Sequence, residues 1–319
     1  MSIKAFLFRG DGSDEPFEPR DGQYEVAKDE LLWIDAWSLE SDELAALRHG
    51  LRMSDAAAGA LETDPSSVEA TVHEDAVEVV VRPLVEGLDG DPTALRLLVG
   101  RSWIITHHAE EMPFLEDRRE TIRDDRPVGH LTAIEFLVSM LDWQIDTFFT
   151  AAEELEAQVD QLDDAALGDE TDRDLLQHLV QMRRRIARVR RIFAPHREIF
   201  AELSRPAFLP DLGDAEAEAL AAVSRRLERA GEAITQTREM LIGTFEVHMT
   251  RTAQRTNDIM RVLTLASVIL LPSVVLAGVM GMNFRVGLFD QPNLFWAVIA
   301  VMVVMALGTI SVARWRGWL

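Results

Sequence analysis

Cysteine is absent from the 319 residues, which excludes disulfides, thiolate catalysis and cysteine-ligated zinc. Lysine is nearly absent: only Lys4 and Lys28 occur, so arginine carries almost all the positive charge. Positive charge itself is scarce against 54 acidic residues, and the formal net charge is −22. That balance argues against a nucleic-acid partner, because phosphates demand a basic face. No nucleophile elbow, phosphate-binding loop or dinucleotide fingerprint occurs, so nothing supports an enzyme or a prosthetic group. The opening "MSIKAFLFRGDGSDEP" lacks the apolar core and small-residue cleavage site of a signal peptide, and the N-terminus is expected in the cytoplasm.

Charge disappears altogether from two runs, residues 262–284 and 291–313, each of 23 residues. About 20 apolar residues in a helix span a bilayer, so two C-terminal spans are expected. Arg251, Arg255 and Arg261 precede the first, and Arg314 and Arg316 follow the second as membrane anchors. The loop between has only Arg285, offset by Asp290. Positive flanks stay inside, which puts both chain ends in the cytoplasm and the protein in the inner (plasma) membrane. Trp296, Trp315 and Trp318 stand where interfacial anchors are expected.

The first 125 residues read as α/β. Strands are predicted at 4–9, 31–36, 68–73, 76–81, 95–100 and 102–108, short runs rich in Val, Ile and Trp and bounded by turn formers. Between the second and third lies "SDELAALRHGLRMS", a helix with Ser41 as its expected N-cap. From about residue 131 the period becomes helical. Helices are predicted over 131–165 and 172–203 as an antiparallel hairpin, the second kinked or ended by Pro195. After a Pro/Gly loop, only Gly231, Gly243 and Pro272 interrupt a helical pattern from about 215 to Met280. At 1.5 Å per residue that is a rod of roughly 100 Å. The resulting divisions are 1–125, an α/β domain; 126–210, a helical hairpin; 211–261, a stalk helix; 262–284, a first span; 285–293, an outer loop; 294–313, a second span; and 314–319, a basic tail.

Two polar constellations have bland readings. Six arginines fall between Arg183 and Arg191, and acids at 152–174 are their expected partners on a solvated helix face. "THHAEEM" (106–112) sets His107 beside His108, but adjacent residues on a strand point to opposite faces and make a poor chelate.

The first span is more informative. At spacings of three and four it presents Asn257, Met260, Thr264, Ser267, Leu271, Val274, Gly278 and Gly281, while Val262, Leu265, Ile269 and Leu276 fall elsewhere. Such a polar and small-residue stripe serves either helix packing or a pore. Gly281 is expected to end the helix in left-handed geometry. Asn283 then offers an amide at the outer face, and a ring of such amides could hold a hydrated cation, since Mg²⁺ gives up water reluctantly.

"NDIMRVLT…LLPSVVLAGVMGMNF" resembles the CorA magnesium-transporter family, the two-span group marked by Gly-Met-Asn, here Gly281-Met282-Asn283. The likeness is carried by residues 235–319, through Asn257, Met260, Leu263, Thr264, Pro272, Gly278 and Phe284, with "RWRGWL" similar to the family's basic, aromatic tail. Met280 stands where an aromatic residue is common, the loop lacks the family's Met-Pro-Glu-Leu, and no carboxylate occurs around Ala221–Val223. The resemblance implies a homopentameric cone: a cytoplasmic α/β domain, a helical hairpin, and a stalk helix that continues into the pore-lining span. It implies an Asn283 ring at the mouth binding the hydrated ion, a pore lined by Asn257, Met260, Thr264, Ser267, Leu271 and Val274, and an apolar gate among Met260, Leu263 and Leu271.

The expected function is therefore transport of divalent cations, Mg²⁺ first, through a pentameric pore. A zinc, Co²⁺ or Ni²⁺ transporter of the same fold, passive or proton-coupled, is the alternative. A membrane-anchored sensor or scaffold is a third, disfavoured because a loop of about a dozen residues is too short to form an external domain.

Overall fold

In the computed structural model the described residues are 3–9, 15–17, 24, 26–27, 30–85, 87–110, 112, 115–116, 132–168, 172–205, 207–209, 212–282 and 293–316. The chain forms two compact units, Met1–Thr244 and Phe245–Leu319. The expected boundaries at 125, 210 and 284 fall outside the described residues.

The first unit holds seven strands: β1 (Ile3–Arg9), β2 (Glu15–Pro16), β3 (Glu30–Trp37), β4 (Glu69–Val72), β5 (Val77–Val81), β6 (Leu95–Val99) and β7 (Trp103–His108). They form one sheet in the order β2-β1-β3-β7-β6-β5-β4. Every pairing is antiparallel except β3 with β7, where Ile34 lies opposite Ile105. The helices α1 (Ser41–Leu51) and α2 (Asp55–Ala60) follow β3.

Strand alternation splits the side chains between two cores. Trp33, Val79, Leu97 and Ile104 join one with Phe136, Leu137 and Met140. Leu32, Ile34, Leu98 and Ile105 join the other with Leu47, Ala57 and Ala58 of α1 and α2. Each fully buried Leu, Ile or Phe stabilises this arrangement by about 1.5–3 kcal/mol.

The helix α3 (Ala133–Leu167) starts at Thr132, whose hydroxyl accepts the Glu135 N–H while the Glu135 carboxylate accepts the Thr132 N–H. That reciprocal pair is a capping box. It is followed by α4 (Asp172–Leu203). The two run antiparallel: Phe148 meets Phe193 edge-on at 5.1 Å, and Arg185 donates to Gln158 at 2.8 Å. The 67-residue α5 (Asp214–Met280) contributes Leu227, Ala230 and Ile234 to the first core. Its C-terminal part and α6 (Leu294–Trp315) belong to the second unit, and both helices are long and apolar enough to cross a membrane.

Four expectations need correction. The N-cap of α1 is Glu40, not Ser41, because Glu43 reaches back to accept the Glu40 N–H at 3.1 Å. Pro195 does not end α4, which runs on to Leu203. It costs the bond to the Arg191 carbonyl, which lies on the exposed face, and the neighbouring His196 ring donates to the Ile192 carbonyl at 3.0 Å. Among the described residues the ion pairs of the arginine run go to the β5–β6 loop. Arg185 pairs with Asp89 at 2.7 Å, and Arg188 with Asp91 at 2.8 Å and the Gly90 carbonyl. Finally, β2 and α2 had no counterpart in the sequence reading; α2 is capped by the Ser54 hydroxyl, which accepts the Ala57 N–H.

Candidate functional site

Within the second unit most of the α5 surface is exposed on and off the mixed stripe, Val262, Leu270 and Val275 off it being 68%, 61% and 58% exposed. Leu265, Ile269 and Leu276 are partly sheltered, whereas Asn257, Met260, Thr264, Ser267, Leu271, Val274 and Gly278 are all exposed on one face. Met260, Leu271 and Val274 are 58%, 68% and 64% exposed. Five of the expected side chains, Met260, Leu263, Thr264, Ser267 and Leu271, line one shallow groove of ≈ 450 Å³ on this face with Pro272. Asn257 lies one turn before the groove, and Val274 and Gly278 follow it at the same helical spacing.

The hydroxyls on this face have a defined orientation that the sequence did not reveal. Thr264 donates to the Met260 carbonyl at 2.7 Å, and Ser267 donates to the Leu263 carbonyl at 2.8 Å. Each hydroxyl proton is thus turned into the helix, and the oxygen lone pairs face outward. Such a surface accepts hydrogen bonds without donating them. It suits the water shell of a cation, whose molecules point their protons away from the metal.

The end of α5 differs from the expectation in one respect. Gly281 donates to the Ala277 carbonyl at 3.0 Å and Met282 to the Val279 carbonyl at 3.2 Å. Among the described residues Gly87 is the one glycine with positive φ, so Gly281 does not end the helix by left-handed geometry. Space is what matters there: a Cβ on Gly281 would lie 3.3 Å from the Ala277 carbonyl oxygen. Asn283 and Asp290 lie outside the described residues, as does Trp318. Arg314 and Arg316 are exposed at the end of α6.

The two histidines of the "THHAEEM" segment do face opposite sides of the sheet, each within a hydrogen-bonded network. His108 Nε2 lies 2.9 Å from Asp35, which also accepts the Thr106 hydroxyl at 2.6 Å. His107 Nδ1 accepts from Arg96 at 3.0 Å, and Arg96 also donates to Glu78 at 2.7 Å. Burial, reinforced by the Arg96 charge, pushes His107 down to about 4. Among the described residues no three His, Asp or Glu side chains converge as a metal site would require.

The family model of the CorA-like Mg2+ transporter protein matches residues 28–314. The cobalt/magnesium transport protein CorA of Methanocaldococcus jannaschii is 23% identical over 308 residues, covering 95% of this chain and 96% of that protein. The protein of the same description from Thermotoga maritima is 26% identical over 208 residues, covering 63% of this chain and 57% of the other. In fold, the chain is similar to the complete structure of the Methanocaldococcus jannaschii CorA magnesium transporter, with a TM-score of 0.78, 20% identity and 100% of both chains covered.

Proposed function

The chain belongs to the CorA-like Mg2+ transporter family, and from that premise we propose that it carries divalent metal cations, Mg²⁺ foremost, through a pore on the axis of a homopentamer. One observation carries the reading to this chain's own residues. The exposed stripe of α5 combines outward-facing hydroxyl oxygens at Thr264 and Ser267 with apolar rings-in-waiting at Met260, Leu263 and Leu271. Several copies facing an axis would turn that stripe into alternating polar and apolar bands.

In this reading Asn283, aimed by Gly281 and Met282, forms the outer mouth. Neutral amide oxygens poorly repay the loss of water from Mg²⁺, so the ion is held through its hydration shell. Asp290 concentrates cations near the mouth by its charge. The arginines at 251, 255, 261, 314 and 316 support an inner-membrane topology with both ends cytoplasmic. The sevenfold division at 125, 210, 261, 284, 293 and 313 follows from the same reading, with the α/β domain, hairpin and stalk on the cytoplasmic side.

The test is flux in proteoliposomes of the full chain, with Mg²⁺, Zn²⁺, Co²⁺ and Ni²⁺, each with and without a pH gradient. Mg²⁺ flux independent of the gradient is expected, and Asn283→Ala should abolish it without changing the mass of the oligomer. Greater Zn²⁺ than Mg²⁺ flux, driven by the gradient, would replace Mg²⁺ by zinc as the cargo.

A further inference from the structure

Met305, Gly308, Thr309 and Val312 of α6 and Arg316 just past its end lie at spacings of three and four and share one face. With Leu265 and Val268 of α5 they line a groove of ≈ 530 Å³ inside the second unit. Gly308 leaves a recess in its wall, since a Cβ there would meet nothing within 4 Å. Thr309 adds no free donor, because its hydroxyl donates to the Met305 carbonyl at 2.8 Å. The groove is thus apolar along its length and ends on a guanidinium.

Neither Arg314 nor Arg316 has an ion pair among the described residues. Trp315 between them is 86% exposed, as an interfacial side chain would be. Eleven helical rises separate Met305 from Arg316, about 16 Å. A bilayer core is about 30 Å thick, so the groove reaches from one interface to roughly the midplane. That is the reach of one acyl chain hanging from its headgroup.

We propose that this groove is a binding site for an anionic glycerophospholipid, with its phosphate on Arg316 and one acyl chain laid over Gly308 between Met305 and Val312. The planar guanidinium fork matches a phosphate, and basic pockets between spans are where such headgroups bind. A zwitterionic lipid would bring an ammonium toward Arg314 and Arg316, which an anionic one avoids. The uncharged runs 262–284 and 291–313 hold no carboxylate, so the apolar wall of the groove offers Arg316 no anion of its own. The site rests on α5 and α6 spanning the membrane, and it is independent of which ion is carried.

Native mass spectrometry of the full chain in detergent, titrated with phosphatidylglycerol and with phosphatidylcholine of the same acyl chains, tests this. Phosphatidylglycerol should bind at least about fivefold more tightly, the factor one arginine near a lipid surface contributes. Arg316→Gln should remove about that factor, weakening phosphatidylglycerol more than phosphatidylcholine. Gly308→Leu, by filling the recess, should weaken both lipids, and Gly308→Ala should do so to a lesser degree. Equal binding of the two lipids by the wild type, or a preference that survives Arg316→Gln, overturns the proposal. So does a Gly308→Leu chain that loses its oligomer yet keeps its lipid, because a second copy would then be the occupant. Counting lipids needs no flux, so a chain that carries no Mg²⁺ but shows Arg316-dependent lipid binding refutes the transport reading alone.

Discussion

The backbone N–H of Arg82, one residue past β5, donates to Nε2 of His196 in α4 at 2.9 Å. An N–H can only donate, so Nε2 carries no proton and Nδ1–H is left to donate to the Ile192 carbonyl. Phe148 stands edge-on to the ring at 5.2 Å. The contact ties sheet to helix through a histidine that must stay neutral.

Acid should therefore loosen the first unit. Burial pushes His196 from 6.5 down to about 4, and His107 is lowered to a similar value. Unfolded chains bind these protons near 6.5 and the folded one only near 4, so unfolding takes up protons between those values. The stabilisation is complete above about pH 6.5 and is lost as pH falls toward 4, at up to ~1.4 kcal/mol per pH unit for each group. Denaturant titrations at pH 7 and pH 5 check this. His196→Gln, which does not titrate, should reduce the pH slope by up to one proton's worth, and an unchanged slope would contradict the assignment.

Two helical glycines on α5 should respond to alanine with opposite signs. A Cβ on Gly231 would lie 2.8 Å from the Phe193 ring, whereas one on Gly243 would meet nothing within 4 Å. Alanine gains about 1 kcal/mol over glycine in a helix interior. Overpacking costs about 1–3 kcal/mol. Gly231→Ala should thus lower stability by up to about 2 kcal/mol and Gly243→Ala should raise it by up to about 1. Thermal midpoints that move in the same direction would show that the Phe193 ring yields freely.

Thr106 joins two buried groups. Trp33 Nε1–H donates to its oxygen at 3.1 Å, and its hydroxyl donates to Asp35. Thr106→Val keeps the volume but strands the Trp33 N–H and leaves Asp35 with His108 alone, a cost of about 1–3 kcal/mol for a buried group left unpaired. Thr106→Ser should recover most of that loss. Equal stability of the Val and Ser variants would mean the hydroxyl contributes nothing.

The apolar members of the α5 stripe should control leakage. Apolar rings can close a pore by dewetting it. Met260→Ser and Leu271→Asn are each expected to raise resting cation flux in liposomes several-fold, without changing oligomer mass. If neither variant leaks, the constriction lies elsewhere on the path.

Much of the fold was readable because periodicity was strong. Six strands were recognised to within about a residue at most ends, and the helix over 172–203 was placed at both termini, since apolar spacing and flanking breakers agreed there. Elements with no room for a period escaped. The two residues of β2 cannot alternate, and the six of α2 are mostly alanine and fall short of two turns. Spacing also selected the stripe from Asn257 to Gly278, because a helix turns position into direction.

The sequence by itself determined the two uncharged runs, the composition that forbids thiol chemistry, and the face on which Met260, Thr264, Ser267 and Leu271 must fall. These follow from residue type and from local backbone geometry, which act over a few positions. Tertiary structure alone decided that Arg185 and Arg188 answer to Asp89 and Asp91, that His196 is held neutral by Arg82, and that Gly308 and Arg316 share a groove with Leu265. Those pairings join residues about 40 to more than a hundred positions apart. Charge and hydropathy along a chain do not say which of many equivalent partners it will bring within 3 Å; packing of the whole core does.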